Sequence, residues 1–218
     1  MRILSRLFSS FITISYGITV CNESKELKKL LDTLLPLIDK NDEVIVLRDI
    51  TNPDQKVAEV LENYKPYIKI VETKLNDDFA AFKNNLIKYT KCEYLFQIDA
   101  DEYPTKDLIR TLKTYLRKER KGDCFFVPRI NTVEGITNEY IQKMNWRINE
   151  DGYINFPDYQ PRIIKNNKKI FWKNRVHETF YGYKRIKEMP KDYHLCLIHA
   201  KDFERQKRQN DFYDTLAD

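Results

Sequence analysis

Apolar positions along this chain switch between two periods, and the switching predicts the fold class. Residues 14–21 are almost continuously apolar or small, as a strand buried on both faces requires. From Glu26 the period changes. Leu27, Leu30, Leu31, Leu34, Leu35 and Ile38 recur at three- and four-residue spacing, which puts them on one stripe of a helix with Asn22 or Ser24 as its N-cap. Residues 43–47 read as a strand again, Val57, Leu61 and Tyr64 as a helix, and residues 67–71 as a third strand. Phe79, Phe82, Leu86 and Ile87 mark a helix leading into an apolar strand at 94–98. A further helix at Leu108, Ile109, Leu112, Tyr115 and Leu116 precedes a strand around 125–127. Strands alternating with helices predict an α/β fold with a mostly parallel central sheet flanked by helices. Beyond Arg129 the texture becomes aromatic and turn-rich, with a hairpin expected across Asn166-Asn167, so a smaller β-rich region should follow. The tail from Phe203 to Leu216 carries a charged amphipathic helical pattern.

Composition narrows the class without naming a function. At 218 residues and 42% hydrophobic, the chain is long enough for one cored domain and is neither disordered nor a membrane protein by composition. Its net charge of +5 suits phosphate-bearing substrates or an anionic membrane face. The excess is too small, and too poor in basic stripes with interleaved aromatics, for nucleic-acid binding. The cysteines Cys21, Cys92, Cys124 and Cys196 are scattered without a CxxC pair, so reduced thiols of a cytosolic protein are expected. Met1-Arg2-Ile3-Leu4-Ser5-Arg6-Leu7-Phe8 looks like the start of a signal peptide, but no A-x-A-like site follows and the run is too short to span a bilayer. A cytoplasmic protein with peripheral association at the inner face of the membrane is the resulting expectation.

The chemistry concentrates where Tyr94-Leu95-Phe96-Gln97-Ile98 stops at Asp99-Ala100-Asp101-Glu102. Asp99 and Asp101 are two apart, so in extended backbone they project to one side. Two hard oxygen ligands suit Mg²⁺ or Mn²⁺ shared with a substrate phosphate. An acidic turn capping the helix opened by Pro104 and Thr105 is the plainer alternative. Asn22-Glu23 and Asp49 end two other expected strands, and a parallel sheet would bring all three ends to one rim, where ligands bind. Asp49 reads either as a turn residue or as an acceptor of hydrogen bonds from a nucleobase or ribose. With five glycines and no GxGxxG, GxxxxGK[ST] or GxSxG, phosphate neutralisation must come from a metal and from Lys or Arg.

These residues carry a resemblance. Thr19-Val20-Cys21-Asn22-Glu23, Asp49-Ile50-Thr51-Asn52-Pro53-Asp54, Asp78-Phe79-Ala80-Ala81-Phe82-Lys83-Asn84 and Ile98-Asp99-Ala100-Asp101-Glu102 follow one another as in family 2 glycosyltransferases of the GT-A (Rossmann-like) fold. Within that family the chain is similar to bacterial lipopolysaccharide-core β-glucosyltransferases, of cell-surface polysaccharide biosynthesis. The likeness continues through Pro161-Arg162-Ile163-Ile164-Lys165, Arg175-Val176-His177-Glu178 and Ile198-His199. It departs in the interior of 49–54, where Ile, Asn and Pro replace the usual Ser, Gly and Thr.

The resemblance implies a metal-dependent, inverting hexosyltransferase of one domain. Residues 14–102 would form the nucleotide-sugar half, 103–202 the acceptor half and 203–218 a terminal helix. It implies Asp101 as direct metal ligand with Asp99 and His199 beside it. Asp49, Glu23, Lys83, Asn84, Asp99 and Arg162 would face the nucleotide. Glu178 or His177 would be the base that takes the acceptor's proton. The donor would be a nucleotide-diphosphate sugar, a UDP-sugar foremost, and the acceptor a glycan or lipid-linked saccharide. His199 also reads as an ordinary rim histidine, and Trp146, Trp172, Tyr153 and Tyr159 as acceptor platforms or a second core. Three rivals compete: an inactive sugar- or nucleotide-binding module, a D-x-D phosphatase, and a nucleotidyltransferase. Tyr103 follows the acidic motif where the phosphatase would have Thr or Val, and the nucleotidyltransferase's glycine-rich first loop is missing.

Overall fold

The computed structural model of the protein describes residues 11–208 and 210. The expected membrane-lying segment at 1–8 and the tail beyond 210 lie outside those residues, while 203–208 are helical as the pattern predicts. The first half alternates as expected: β1 (Ile14–Val20), α1 (Ser24–Leu34), β2 (Glu43–Asp49), α2 (Gln55–Tyr64), β3 (Lys69–Thr73), α3 (Phe79–Tyr89) and β4 (Tyr94–Asp99). β5 (Glu102–Pro104), α4 (Lys106–Lys118), β6 (Cys124–Val127), β7 (Arg129–Glu134) and α5 (Asn138–Lys143) follow. The chain then runs through β8 (Gln160–Lys165), β9 (Phe171–Lys173), β10 (Thr179–Tyr181), β11 (Ile186–Glu188) and β12 (Leu197–Asp202).

Among the described residues the central sheet has the order β11-β6-β8-β4-β1-β2-β3. The pairs β1–β2, β1–β4 and β2–β3 are parallel, and β8 runs antiparallel to both its neighbours. Side-chain alternation explains the burial on both faces. Ile14, Tyr16, Ile18 and Val20 join one core with Leu27, Leu30, Leu31 and Leu34 of α1. Ile45, Leu47 and Leu95 join the opposite core with Phe82 and Leu86 of α3. Gly17 permits that second layer its close approach, because a Cβ there would lie 2.4 Å from Leu86 Cδ2.

Two local expectations need correction. No hairpin forms across Asn166-Asn167. Ile163 and Ile164 of β8 are buried in opposite cores, so this strand is inserted between β4 and β6. Its successor β9 pairs antiparallel with β10 instead, Trp172 opposite Phe180. The N-cap of α1 is Glu23, not Asn22 or Ser24; its carboxylate turns back to accept from the backbone N–H of Cys21 at 2.8 Å and of Asn22 at 3.1 Å.

A second, three-stranded sheet in the order β5-β12-β7 lies beside the end of β4. β12 pairs antiparallel with β5 and parallel with β7, with His199 opposite Glu102 on one side and Asn131 on the other. The four cysteines are free thiols. Among the described residues no helix is long and apolar enough to cross a membrane.

Candidate active site

Because β1, β2 and β4 are parallel, their polar termini share one edge of the sheet. Register sets Thr19 beside Asp99, and its hydroxyl donates to Asp99 Oδ1 at 2.7 Å. The other Asp99 oxygen pairs with Arg162 at 2.8 Å, and Lys83 Nζ lies 3.2 Å from Oδ1. Lys83 also donates to Glu178 Oε1 at 2.6 Å, so a residue of the β9–β10 connection touches the same ammonium as the end of β4. Burial alone would raise the Asp99 carboxyl; Arg162 and then Lys83 overcome it and hold the group far below the carboxylate range. Burial would likewise depress Lys83, but Asp99 and Glu178 raise it, so it stays cationic. Its ammonium lies 4.9 Å from the Trp172 ring centroid, and the Trp172 indole N–H donates to Gln97 at 2.8 Å.

Behind Asp99 the charges continue in an unbroken chain. Arg162 reaches Glu102 at 2.6 Å, Arg129 reaches Glu102 at 2.7 Å and Asp158 at 2.6 Å, and Asn131 Nδ2 donates to Asp158 at 2.8 Å. The Glu102 side chain is wholly buried between the two arginines. Removing Arg162 would leave Asp99 to Lys83 and Glu102 to Arg129, each buried carboxylate short of one partner charge. Arg162→Met is therefore expected to destabilise the fold by about 3–5 kcal/mol, read from urea unfolding with the m-value unchanged.

At the other end of this chain stand Asp101 and His199. His199 Nδ1 lies 2.9 Å from Asn131 Oδ1, and Nε2 lies 3.3 Å from Asp101 Oδ2. Asn131 must aim its NH₂ at the Asp158 carboxylate, so its oxygen faces His199 and the Nδ1 atom carries the proton. In the neutral ring Nε2 then turns a lone pair toward a carboxylate. Burial does lower His199 below the usual histidine range, with Asp101 opposing. Two lone pairs 3.3 Å apart are close to the spacing of adjacent ligands, each at roughly 2.1 Å from an octahedral divalent ion, with Asn131 fixing the imidazole from behind. Burial would raise Asp101, but His199, whenever its Nε2 is protonated and donates to this carboxylate, and Lys201 hold it well below the carboxylate range. Lys201 and Arg205 each lie 3.5 Å from Asp101 Oδ2. Among the described residues no three His, Cys, Asp or Glu side chains are grouped to enclose a metal, so an ion here would need oxygens from a ligand and water.

The expected site residues fall into three groups. Asp99, Lys83, Arg162 and Glu178 are in direct contact, and Asp101 and His199 form a second corner on the same edge. Glu23 joins that corner through Arg205 at 3.4 Å, and burial raises its carboxyl. Asp49, Asn84 and His177 stand apart. Asp49 Oδ1 accepts from Thr51 N, Thr51 Oγ1 and Leu75 N at 2.8, 2.6 and 3.0 Å, anchoring two loops at the edge. Burial and the nearby Asp49 push the Cys21 thiol up to about 12. Asn84 spends both ends of its amide on the Trp172 backbone, at 2.8 Å each, tying α3 to β9. His177 is exposed, in a left-handed conformation (φ 53°) beside Glu178. Trp172 is core, as its burial and its stacking on Phe180 at 3.8 Å show.

Reading the sequence missed Thr19, Arg129, Asn131, Asp158, Lys201 and Arg205, and gave Glu102 no role. A period-two signal was available: Arg129 and Asn131, like His199 and Lys201, are spaced to share one face of a strand. Only the register of β7 against β12 joins the two pairs.

Comparison with known proteins bears on family and fold. Residues 15–198 match the glycosyl transferase family 2 profile. The SPbeta prophage-derived glycosyltransferase SunS of Bacillus subtilis (strain 168) is 27% identical over 174 residues, which is 78% of this chain and 35% of SunS. The chain thus spans about a third of the length of that relative. Among solved structures, S. aureus TarS 1-349 superposes with a TM-score of 0.59 at 14% identity, covering 87% of this chain and 60% of that one. Its complex with UDP-GlcNAc superposes at 0.61 and 14% identity, with 87% and 59% coverage. The fold is therefore GT-A-like, as expected, and the profile match extends from β1 into β12. The chain belongs to glycosyl transferase family 2.

Proposed function

We propose that this chain is a glycosyltransferase that moves a sugar from a UDP-sugar to a hydroxyl of a glycan or lipid-linked saccharide, with inversion at the anomeric carbon. The observation that carries the reading is the meeting of Asp99 and Glu178 on one buried lysine, two residues from the Asp101–His199 corner. Residues 14–102 then carry most of the donor side and 103–202 the acceptor side, with His199 and Lys201 reaching back to the donor's diphosphate. Glu178, fixed by Lys83, takes the proton of the acceptor hydroxyl as its oxygen bonds to the anomeric carbon. The bond from that carbon to the diphosphate breaks, and its electron pair leaves on the phosphate oxygen. Lys83, Arg162 and Lys201, all buried on this edge, would face that negative charge. Asp101 and His199 would hold Mn²⁺ or Mg²⁺, which supplies further neutralisation of the diphosphate when bound. Uridine as the base is supported by the UDP-GlcNAc complex of the similarly folded TarS.

The test is a melting-temperature screen of UDP, GDP, CDP and ADP with Mn²⁺ or with EDTA. At a hundred times its Kd a ligand adds about 2.7 kcal/mol, so UDP with Mn²⁺ should raise Tm by roughly 5–10 °C for a domain of this size. EDTA should remove most of the shift. No shift with any nucleotide would end the donor-binding reading.

A further inference from the structure

Beside the candidate site and outside it, α1 and α4 leave between them a groove of about 490 Å³. Lys25, Lys28 and Lys29 of α1 line one wall and Lys106 and Arg110 of α4 the other, and all five are exposed. The acid on this lining is Asp32, which pairs with Lys28 at 2.6 Å. Arg110 has a 3.6 Å pair with Asp107, a separation that leaves its guanidinium largely open. Lys29 is held over the Tyr103 ring at 3.8 Å from the centroid, so one of these cations is fixed and not swinging in solvent. Pro36 and Leu37 also line the groove and, with the aliphatic stems of the lysines, give it an apolar component. Cationic walls combined with apolar lining suit an amphiphile with a phosphate head better than a bare anion. They also suit it better than a neutral sugar.

We propose that this groove docks the protein on an anionic phospholipid leaflet. A lipid phosphate sits among Lys25, Lys29, Lys106 and Arg110, and the first carbons of the lipid lie against Pro36 and Leu37. The placement is consequential, because Lys25 shares the first turn of α1 with Glu26. Glu26 pairs with Arg205, which in turn lies 3.5 Å from Asp101. Groove and candidate metal corner are thus joined by one helical turn, and docking would present that edge of the sheet near the leaflet. The inference does not depend on sugar transfer, since it needs neither donor nor acceptor.

The experiment is flotation of the whole chain with vesicles of phosphatidylglycerol and phosphatidylcholine against vesicles of phosphatidylcholine alone, in low salt without nucleotide. Binding is expected to the anionic vesicles only, and 0.5 M NaCl should release it, because charge attraction at a surface is screened. Reversal of four groove charges (Lys25→Glu, Lys29→Glu, Lys106→Glu, Arg110→Glu) should cut the partition coefficient by about a hundredfold or more. Four reversals at exposed lysines elsewhere (Lys56→Glu, Lys88→Glu, Lys168→Glu, Lys184→Glu) should leave it within about threefold of the parent if the groove, and not net charge, does the docking. Equal loss in both variants would overturn the proposal, as would binding to neutral vesicles. Displacement from anionic vesicles by low-millimolar inorganic pyrophosphate would assign the groove to a soluble phosphate and overturn it as well. All variant sites are exposed side chains, and unchanged melting temperatures confirm that both variants are folded.

Discussion

Replacing Asp101 by Asn is expected to lower sugar transfer by about a thousandfold or more while the protein still folds. The carboxylate contributes charge where an imidazole lone pair also converges. Asn keeps the shape but cannot balance a divalent ion, and a loss of about 4 kcal/mol in transition-state stabilisation is a factor of roughly a thousand. The loss should appear in donor hydrolysis without acceptor as well as in transfer, because it falls on the departing diphosphate. The same variant should lose the Mn²⁺-dependent part of the UDP melting shift. Lys201 and Arg205 would lose their buried partner too, so stability is to be followed separately by urea unfolding. Retention of full activity in Asp101→Asn would remove the metal corner from the mechanism.

Glu178→Gln should have the second-largest effect, on a different observable. Loss of a general base costs about a hundred- to ten-thousandfold in kcat. Glu178 touches Lys83 and not the Asp101 corner, so UDP affinity should stay within about threefold of the parent. A structural role alone, holding Lys83 in place, would instead be rescued by Gln, whose side-chain oxygen can still accept from the ammonium. His177→Ala is the companion measurement. His177 is exposed, so its loss should cost less than about tenfold if it only orients the acceptor. Comparable collapse in His177→Ala with a mild Glu178→Gln phenotype would reassign the base to the imidazole.

The parts of this molecule legible in the sequence are those fixed by local pattern. The strand that ends in Asp99-Ala100-Asp101 announces itself, because an apolar run cannot continue into unpaired carboxylates. The leucine stripe of α1 and the β1–β4 alternation are equally local. What could not be read is set by register between distant segments. β8 looks like the first arm of a hairpin until its two isoleucines are seen buried on opposite faces of the central sheet. Asn131 is an unremarkable strand residue until β12 places His199 opposite it, 68 positions later. Glu102 reads as one more acid in an acidic turn. Only the arrival of Arg129 and Arg162 from β7 and β8 makes its complete burial tolerable. Asn84 carries a family expectation of nucleotide contact from its position beside Lys83; what the fold adds is the bonding of its amide to the backbone of β9, which no local pattern announces.

Insertion of β12 between β5 and β7 has a bearing on how the protein comes into being. Lys83 and Asp99 emerge early in synthesis, but the imidazole and the two cations around Asp101 belong to residues 199, 201 and 205. A ribosome-bound chain stopped before residue 199 holds every residue of β1, β2, β3 and β4 and still lacks the imidazole, ammonium and guanidinium that surround Asp101. The charged surroundings of Asp101 are therefore completed only by the last described strand and the helical turn after it, however early the carboxylate itself is made.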